Sequence, residues 1–321
     1  MPLSIGEGGS LEWQRLARVY EHPRDLRIQF NEEEHSYTID GVKEGWSSCT
    51  QFLHNFFGHF DADAVIKKMM CNPAKWKLSK YYGMKPEEIK AQWTANGNEA
   101  STAGTRMHLD IEHFYNSSEI NVDSMLRDDN WAPNLSPEWT MFMAYQAKIG
   151  SKMIPFRTEW LVFYERFKVA GSIDMLYKKH DGTFAIYDWK RAKAIEFENK
   201  YQSGLGPLAH LPESNYWQYS LQLNIYRMIL KEKYGMDVNE LALVILHPIN
   251  SGYKVIKINI MEDEVNAMFA CRERALKKPG NTGTNPIVIF EGEEGLDEEE
   301  EQEDVQVSHK KPKVSDGWLG E

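Results

Sequence analysis

Cysteine is scarce in this chain. Cys49, Cys71 and Cys271 are scattered over 321 residues, and none stands in a CxxC pair. That usage excludes a four-cysteine iron–sulfur cluster and a zinc finger, and it suits a reducing compartment better than a disulfide scaffold. No run of eighteen apolar residues occurs, so no helix is expected to cross a membrane. The opening "MPLSIGEGGSLEW" has neither a positively charged start nor an apolar stretch, and is not read as a secretory signal. No repeat recurs at a solenoid period. These absences together imply an intracellular globular protein, nuclear or cytoplasmic.

Positive charge is also short, but unevenly so. The formal net charge is −11, and residues 291–321 hold twelve acidic residues and three lysines, a net of −9. Residues 1–290 therefore carry −2, since −11 less −9 is −2. A nearly neutral body can still hold a local basic groove, so a phosphate-bearing substrate is not excluded. The segment 291–321 reads as a disordered acidic tail. Within it, "HKKPKV" (309–314) resembles a short nuclear localisation signal, and "DGWLGE" has the look of a peptide that docks on a protein partner.

What the chain has in plenty is aromatic residues: ten Trp, fifteen Tyr and fourteen Phe, ample for a packed core. After an N-terminal extension (1–24), one domain is expected over 25–290. "RIQFNEEEHSYTIDGV" reads as two short strands around a polar turn. Ser47 or Ser48 caps a following helix bearing Phe52, Leu53, Phe56 and Phe57. That stretch, "TQFLHNFF", has the spacing of a sliding-clamp-binding peptide, but a core helix explains it better. Residues 61–70 continue helically. The segment from Pro86 to Asn116 reads as two helices broken near Gly97, the second opening on small residues, "EASTAGT", that permit close approach to another backbone. Residues 137–148 form another helix. Then come three strand-like segments, a long helix over "SNYWQYSLQLNIYRMILKEKYG" with one apolar face, two more strands and a last helix. The fold class is α/β (α+β), a central mixed sheet flanked by helices.

Chemistry concentrates in "VAGSIDMLYKKHDGTFAIYDWKRAK" (169–193). Asp188 and Lys190 are two apart on one strand and share a face, while Trp189 points the other way. Whether Asp174 joins them depends on the turn. A two-residue turn at Asp181-Gly182 sets Asp174 opposite Trp189. A three-residue loop, His180-Asp181-Gly182 with Gly182 left-handed, sets Asp174 opposite Asp188, with Cβ atoms about 5 Å apart. The second register also gives a wholly apolar opposite face: Ile173, Met175 and Tyr177 against Trp189, Tyr187 and Ala185. Pattern and turn chemistry both favour it. Two adjacent carboxylates repel unless a cation lies between them, and hard oxygen ligands suit Mg²⁺ or Mn²⁺. A salt-bridged surface hairpin is the plainer alternative for so short a motif.

The neighbouring segments tip that balance. "GSID", a hairpin and then "DWK" resemble the core of the PD-(D/E)XK nuclease superfamily. "AGTRMHLDIE" resembles the helix with a metal-binding histidine of the RecB-like and lambda-exonuclease-like branches. "TEWLVF" resembles the strand whose Glu lies near the metal, and "QYSLQLNIYR" the QxxxY helix. The resemblance runs from Arg27 to Ile260 and is closest in style to the mitochondrial genome maintenance exonuclease type. It implies a restriction-endonuclease-like core with an N-terminal hairpin and helical additions. It further implies Asp174, Asp188, His108, Glu159 and the Trp189 carbonyl as ligands of Mg²⁺ or Mn²⁺. Lys190 would serve at the attacking water or the transition state, with Gln222 and Tyr226 orienting it or the phosphate, and Gln218 one turn earlier. Arg191 and Lys193, flanking the site, suit phosphate contacts. Glu112, one turn after His108, is a capping or salt-bridging residue or a further ligand. Tyr216 and Trp217 read mainly as core.

The function so implied is a metal-dependent DNA exonuclease of replication, recombination or repair, acting on single-stranded DNA or free ends. A structure-specific endonuclease and an inactive nucleic-acid-binding protein on the same fold are the alternatives. An acidic chaperone would rest on the tail alone.

Overall fold

The computed structural model describes residues 15–58, 60–116 and 134–278. The tail 291–321, with its basic motif and terminal "DGWLGE", lies outside the described residues. The first elements are α1 (Arg15–Val19), a 3-10 turn (Pro23–Arg27) and an antiparallel hairpin of β1 (Ile28–Asn31) and β2 (Ser36–Ile39). Strand β3 (Ser47–Ser48) leads into α2 (Cys49–His54). Ser48 caps α2 reciprocally: its hydroxyl accepts from Gln51 N at 3.0 Å, and Gln51 Oε1 accepts from Ser48 N at 3.1 Å. Such a cap contributes about 1 kcal/mol. Phe52, Leu53, Phe56 and Phe57 are all buried, so this helix is core.

Next come α3 (Ala62–Cys71), α4 (Pro73–Lys77) and a single helix α5 (Pro86–Asn116) of 31 residues. The expected break at Gly97 does not occur. One glycine costs a helix about 1 kcal/mol, and without a left-handed cap or a following proline nothing stops the hydrogen-bond ladder. At the one glycine of the small-residue run no other backbone comes close: a Cβ added at Gly104, or at Gly97, would touch nothing within 4 Å.

After α6 (Pro137–Lys148) the main sheet is built from β4 (Ile154–Tyr164), β5 (Val169–Lys178), β6 (Phe184–Lys190), β7 (Val238–Ile245) and β8 (Lys254–Ile258), with α7 (Asn215–Tyr234) and α8 (Glu262–Leu276) between and after them. β4 runs antiparallel along one edge of β5. Its other edge is shared: β3 pairs in parallel with Val169 and Ala170, and β6 pairs antiparallel from Met175 onward. Parallel β7 and antiparallel β8 complete the sheet beyond β6. Residues 171–174 of β5 are thus left open on that edge.

Strand alternation divides the core. Leu176, Ile186, Leu241 and Leu243 face α2, α7 and α8; Met175, Tyr177, Tyr187 and Trp189 face α1, α5 and α6. Helix α7 has apolar residues buried around most of its girth, because it lies between the sheet and α8. A separate cluster, Ile66, Tyr81 and Ile89, belongs to α3–α5 alone. No described helix is long and apolar enough to cross a membrane.

Candidate active site

The β5–β6 hairpin closes on a three-residue loop. Lys179 N donates to Thr183 O at 2.8 Å, and Gly182 is left-handed at φ +89°. The register is Met175↔Tyr187 and Tyr177↔Ala185, so Asp174 and Asp188 stand opposite one another as the turn chemistry implied. The ladder stops one step short of them. Asp174 Oδ2 instead accepts from Trp189 N at 2.9 Å, a side-chain substitute for the lost backbone bond.

The other edge of β5 shows the same lapse. The β4–β5 ladder pairs Thr158↔Met175 and Trp160↔Ile173 but not the intervening step, Glu159 and Asp174. Glu159 has φ +41°, a left-handed conformation costly for a residue with a Cβ. The twist reverses strand alternation: Arg157 and Trp160, three apart, lie on one face with the guanidinium 4.6 Å from the ring. Asp25 pins both flanks, accepting from Arg157 Nη1 at 2.7 Å and from Trp160 Nε1 at 2.8 Å. Glu159, Asp174 and Asp188 therefore form a row across three strands at the step where both ladders open. Opposed like charges disfavour pairing there.

Two cations meet the row. Lys190 Nζ lies 2.7 Å from Asp188 Oδ2, and its ammonium sits 4.8 Å from the Tyr219 ring centre. The contact is a close ion pair of poor hydrogen-bond angle, since Asp188 Oδ2 is buried with no well-directed donor. His108, delivered by α5, has Nδ1 3.2 Å from Glu159 Oε1 and 3.6 Å from Asp174 Oδ2, and Nε2 3.1 Å from the Trp189 carbonyl. Each ring nitrogen faces an oxygen that only accepts, a pattern the imidazolium satisfies. Burial alone would lower the His108 pKa, but Asp174 and Glu159 outweigh it and raise it to about 9. Burial first, then Asp174, raises Asp188 to about 6. Burial likewise raises Asp174, against the pull of His108. Burial opposes the charge on Lys190, yet Asp188 and Asp174 hold its pKa above the ordinary value. Glu112 is raised to about 7 by burial and then by Glu159.

This set fits a divalent cation. One ligand atom each from His108, Glu159 and Asp174 lies within 4.8 Å of the others. Imidazole, carboxylate and carbonyl donors are those that Mg²⁺ and Mn²⁺ accept. Charge agrees: three carboxylates against Lys190 and a protonated His108 leave −1, whereas Lys190, a neutral His108 and a divalent ion leave none.

Of the remaining expected residues, Gln222 and Tyr226 lie beside the segment that carries Asp174, and the others are engaged or exposed elsewhere. Gln222 Nε2 donates to Tyr226 Oη at 3.3 Å, and Tyr226 packs on Gly171, where an added Cβ would lie 2.6 Å from its ring. They flank the open segment that carries Asp174. Arg191 is engaged by Glu138 on α6 at 2.7 Å, and Lys193 is exposed beyond β6. Gln218 lines a separate cavity of about 480 Å³ with His54 and Gln202. Tyr216 is buried against Phe197, and Trp217 donates to the Phe197 carbonyl at 3.1 Å. Two contacts escaped the sequence reading. Ser172 donates to Glu159 Oε2 at 3.0 Å, and its place two residues before Asp174 was the available signal. The ring of Tyr219 beneath Lys190 carried none.

The family model described as the PD-(D/E)XK nuclease superfamily matches residues 65–307, most of the chain. No curated protein matches. Among solved structures, the chain is similar to SSO0001 at 11% identity and TM-score 0.28, over 75% of this chain and 80% of that one. It is also similar to a candidate exonuclease from Eubacterium rectale at 12% identity and TM-score 0.35, over 72% of this chain and 79% of that one. Both likenesses are too distant to inform the site.

Proposed function

The chain belongs to the PD-(D/E)XK nuclease superfamily, and from that premise we propose that it is a Mg²⁺- or Mn²⁺-dependent exonuclease that hydrolyses DNA in replication, recombination or repair. The observation that carries this reading is the row Glu159–Asp174–Asp188, opened out of both ladders and met by His108 and Lys190. Exonuclease action is favoured by the likeness of the His108 helix and the Gln222–Tyr226 helix to the RecB-like and lambda-exonuclease-like branches. The near-neutral body favours single strands or free ends over long duplex.

Asp174, Asp188, Glu159, His108 and the Trp189 carbonyl would hold the ion. When bound, it would acidify a water and offset charge on the scissile phosphate. Lys190, kept protonated by Asp188, acts as a donor that orients the water or steadies the phosphate oxygens. Tyr226 is a positioning residue: it wedges against Gly171 and fixes the open segment, and Gln222 holds its hydroxyl. Asp25 acts at longer range by holding the left-handed Glu159 from both sides.

The test is digestion of end-labelled linear and closed circular DNA, single- and double-stranded, with Mg²⁺ or Mn²⁺, beside Asp188→Ala. Metal-dependent loss of linear DNA alone, absent in the variant, is expected. Cutting of closed circles would make the enzyme an endonuclease, and no cleavage of any substrate would leave a binding protein on the same fold.

A further inference from the structure

Between Ala64 and Pro86 the chain holds six lysines (Lys67, Lys68, Lys75, Lys77, Lys80 and Lys85) and no acidic residue or arginine, a net of +6. Outside that stretch the other 298 residues carry −17, since −11 less +6 is −17. The stretch covers most of α3, all of α4 and the turn into α5, which share the small core of Ile66, Tyr81 and Ile89. With the flanking Asp61, Asp63, Glu87, Glu88 and Lys90 counted, residues 61–90 still carry a net of +3. All six lysines are exposed, and among the described residues no carboxylate is ion-paired with their ammonium groups, Glu88 accepting only from the Lys85 backbone N–H. The neighbouring Lys90, by contrast, is paired with Asp63. Large apolar side chains stand in solvent beside them: Tyr82 is 55% exposed and Leu78 88%. Trp76, half-buried, lies edge-on to Tyr82 at 6.1 Å. Exposed cations interleaved with exposed rings suit a chain of phosphates bearing unpaired bases.

Helix α5 fixes where that surface lies relative to the chemistry. Lys90 and His108 are on one unbroken helix, and their separation at 1.5 Å per residue is about 27 Å. At 3.4 Å per nucleotide along a stacked strand, that is about eight nucleotides. The helix between them is bare: residues 94–102 are exposed, and Gly97 and Gly104 face open space.

We propose that α3, α4 and the start of α5 form an arm that grips single-stranded DNA about eight nucleotides from the catalytic centre, through the phosphates at Lys67, Lys68, Lys75 and Lys77 and a base stacked on Tyr82. Duplex is disfavoured because paired bases do not offer their faces to a ring. The arm rests on the nuclease reading for its direction, but its binding does not depend on cleavage.

The experiment measures binding of fluorescein-labelled oligothymidylates of 20 and 6 nucleotides to the full chain, by anisotropy in excess chelator over a range of salt. The chain carrying Lys67→Ala, Lys68→Ala, Lys75→Ala and Lys77→Ala should bind the 20-mer about tenfold or more weakly. Its slope of log affinity against log salt should fall by about 3, from ~0.7 per phosphate contact. The 6-mer, which can lie on the arm but cannot also reach the centre, should weaken in the same direction. A milder pair, Lys75→Gln and Lys77→Gln, should lower the slope by about half as much, and Tyr82→Ala should weaken the 20-mer about tenfold. Unchanged affinity and slope for the 20-mer, or tighter binding of a 20-base-pair duplex, would each overturn the arm. Arm-dependent binding by a wild-type chain that cuts nothing would sink the nuclease and leave the arm; cleavage with arm-independent binding would do the reverse.

Discussion

At the open end of the β5–β6 hairpin, five ionisable side chains lie within reach of one another, none more than 30% exposed. On the helical arm, six lysines stand in solvent with no ion-paired carboxylate among the described residues. The two regions hold charge under opposite rules. In the hairpin, low dielectric makes each charge expensive alone, so His108, Asp174, Asp188 and Lys190 fix one another's protonation, and Glu159 shares their geometry. On the arm, water screens each lysine, neither folding nor a partner depends on it, and its field is available to a polyanion. A site for bond breaking and a surface for retention need these different settings.

The sharpest break of that contrast is one lysine from each region. Lys190→Ala should lower cleavage about a thousandfold. It should also destabilise the fold by about 3 kcal/mol, because Asp188 loses its counter-ion. That deficit should be smaller at pH 5 than at pH 8: the Asp188 pKa, already about 6, would rise further, and a raised carboxyl is most comfortable protonated. Lys75→Ala should leave thermal stability within about 0.5 kcal/mol at both values. Melting curves at the two pH values check both variants.

A second break needs no charge at all. Gly171→Ala would place a Cβ 2.6 Å from the Tyr226 ring. We expect about 2 kcal/mol of destabilisation and a fall in cleavage, read by melting and by rate, although no ligand is touched. The smallest effect sharpens the role of His108. Its folded pKa of about 9 lies above its ordinary 6.5, so in metal-free protein its contribution is full below pH 6.5 and is lost as pH rises through about 9. We expect a stability loss on the order of 1 kcal/mol across that window, since the ring is partly solvated. His108→Gln should flatten it.

Much of the site was legible because two independent constraints met in the hairpin. Alternation of apolar residues and the His180-Asp181-Gly182 loop each select the register that opposes Asp174 to Asp188, and the structure has that register. Ser48 marked the start of α2 by local chemistry alone. What escaped was set by distant partners. The left-handed Glu159 depends on Asp25, more than a hundred residues earlier, which no local pattern encodes. Gly97 reads as a break, but the cost of one glycine is small beside a ladder anchored in cores at both ends. The lysine run lay in plain view, hidden by a net charge summed over the whole body.

The most direct test of the central claim is a calorimetric titration of the metal-free protein with Mn²⁺, beside Asp174→Asn and Glu159→Gln. If the row across β4, β5 and β6 is the metal centre, the wild type binds and releases protons at pH 7.5 as His108 gives up its charge, and each variant binds at least tenfold more weakly. Equal affinity in all three proteins would place the ion elsewhere and contradict the account.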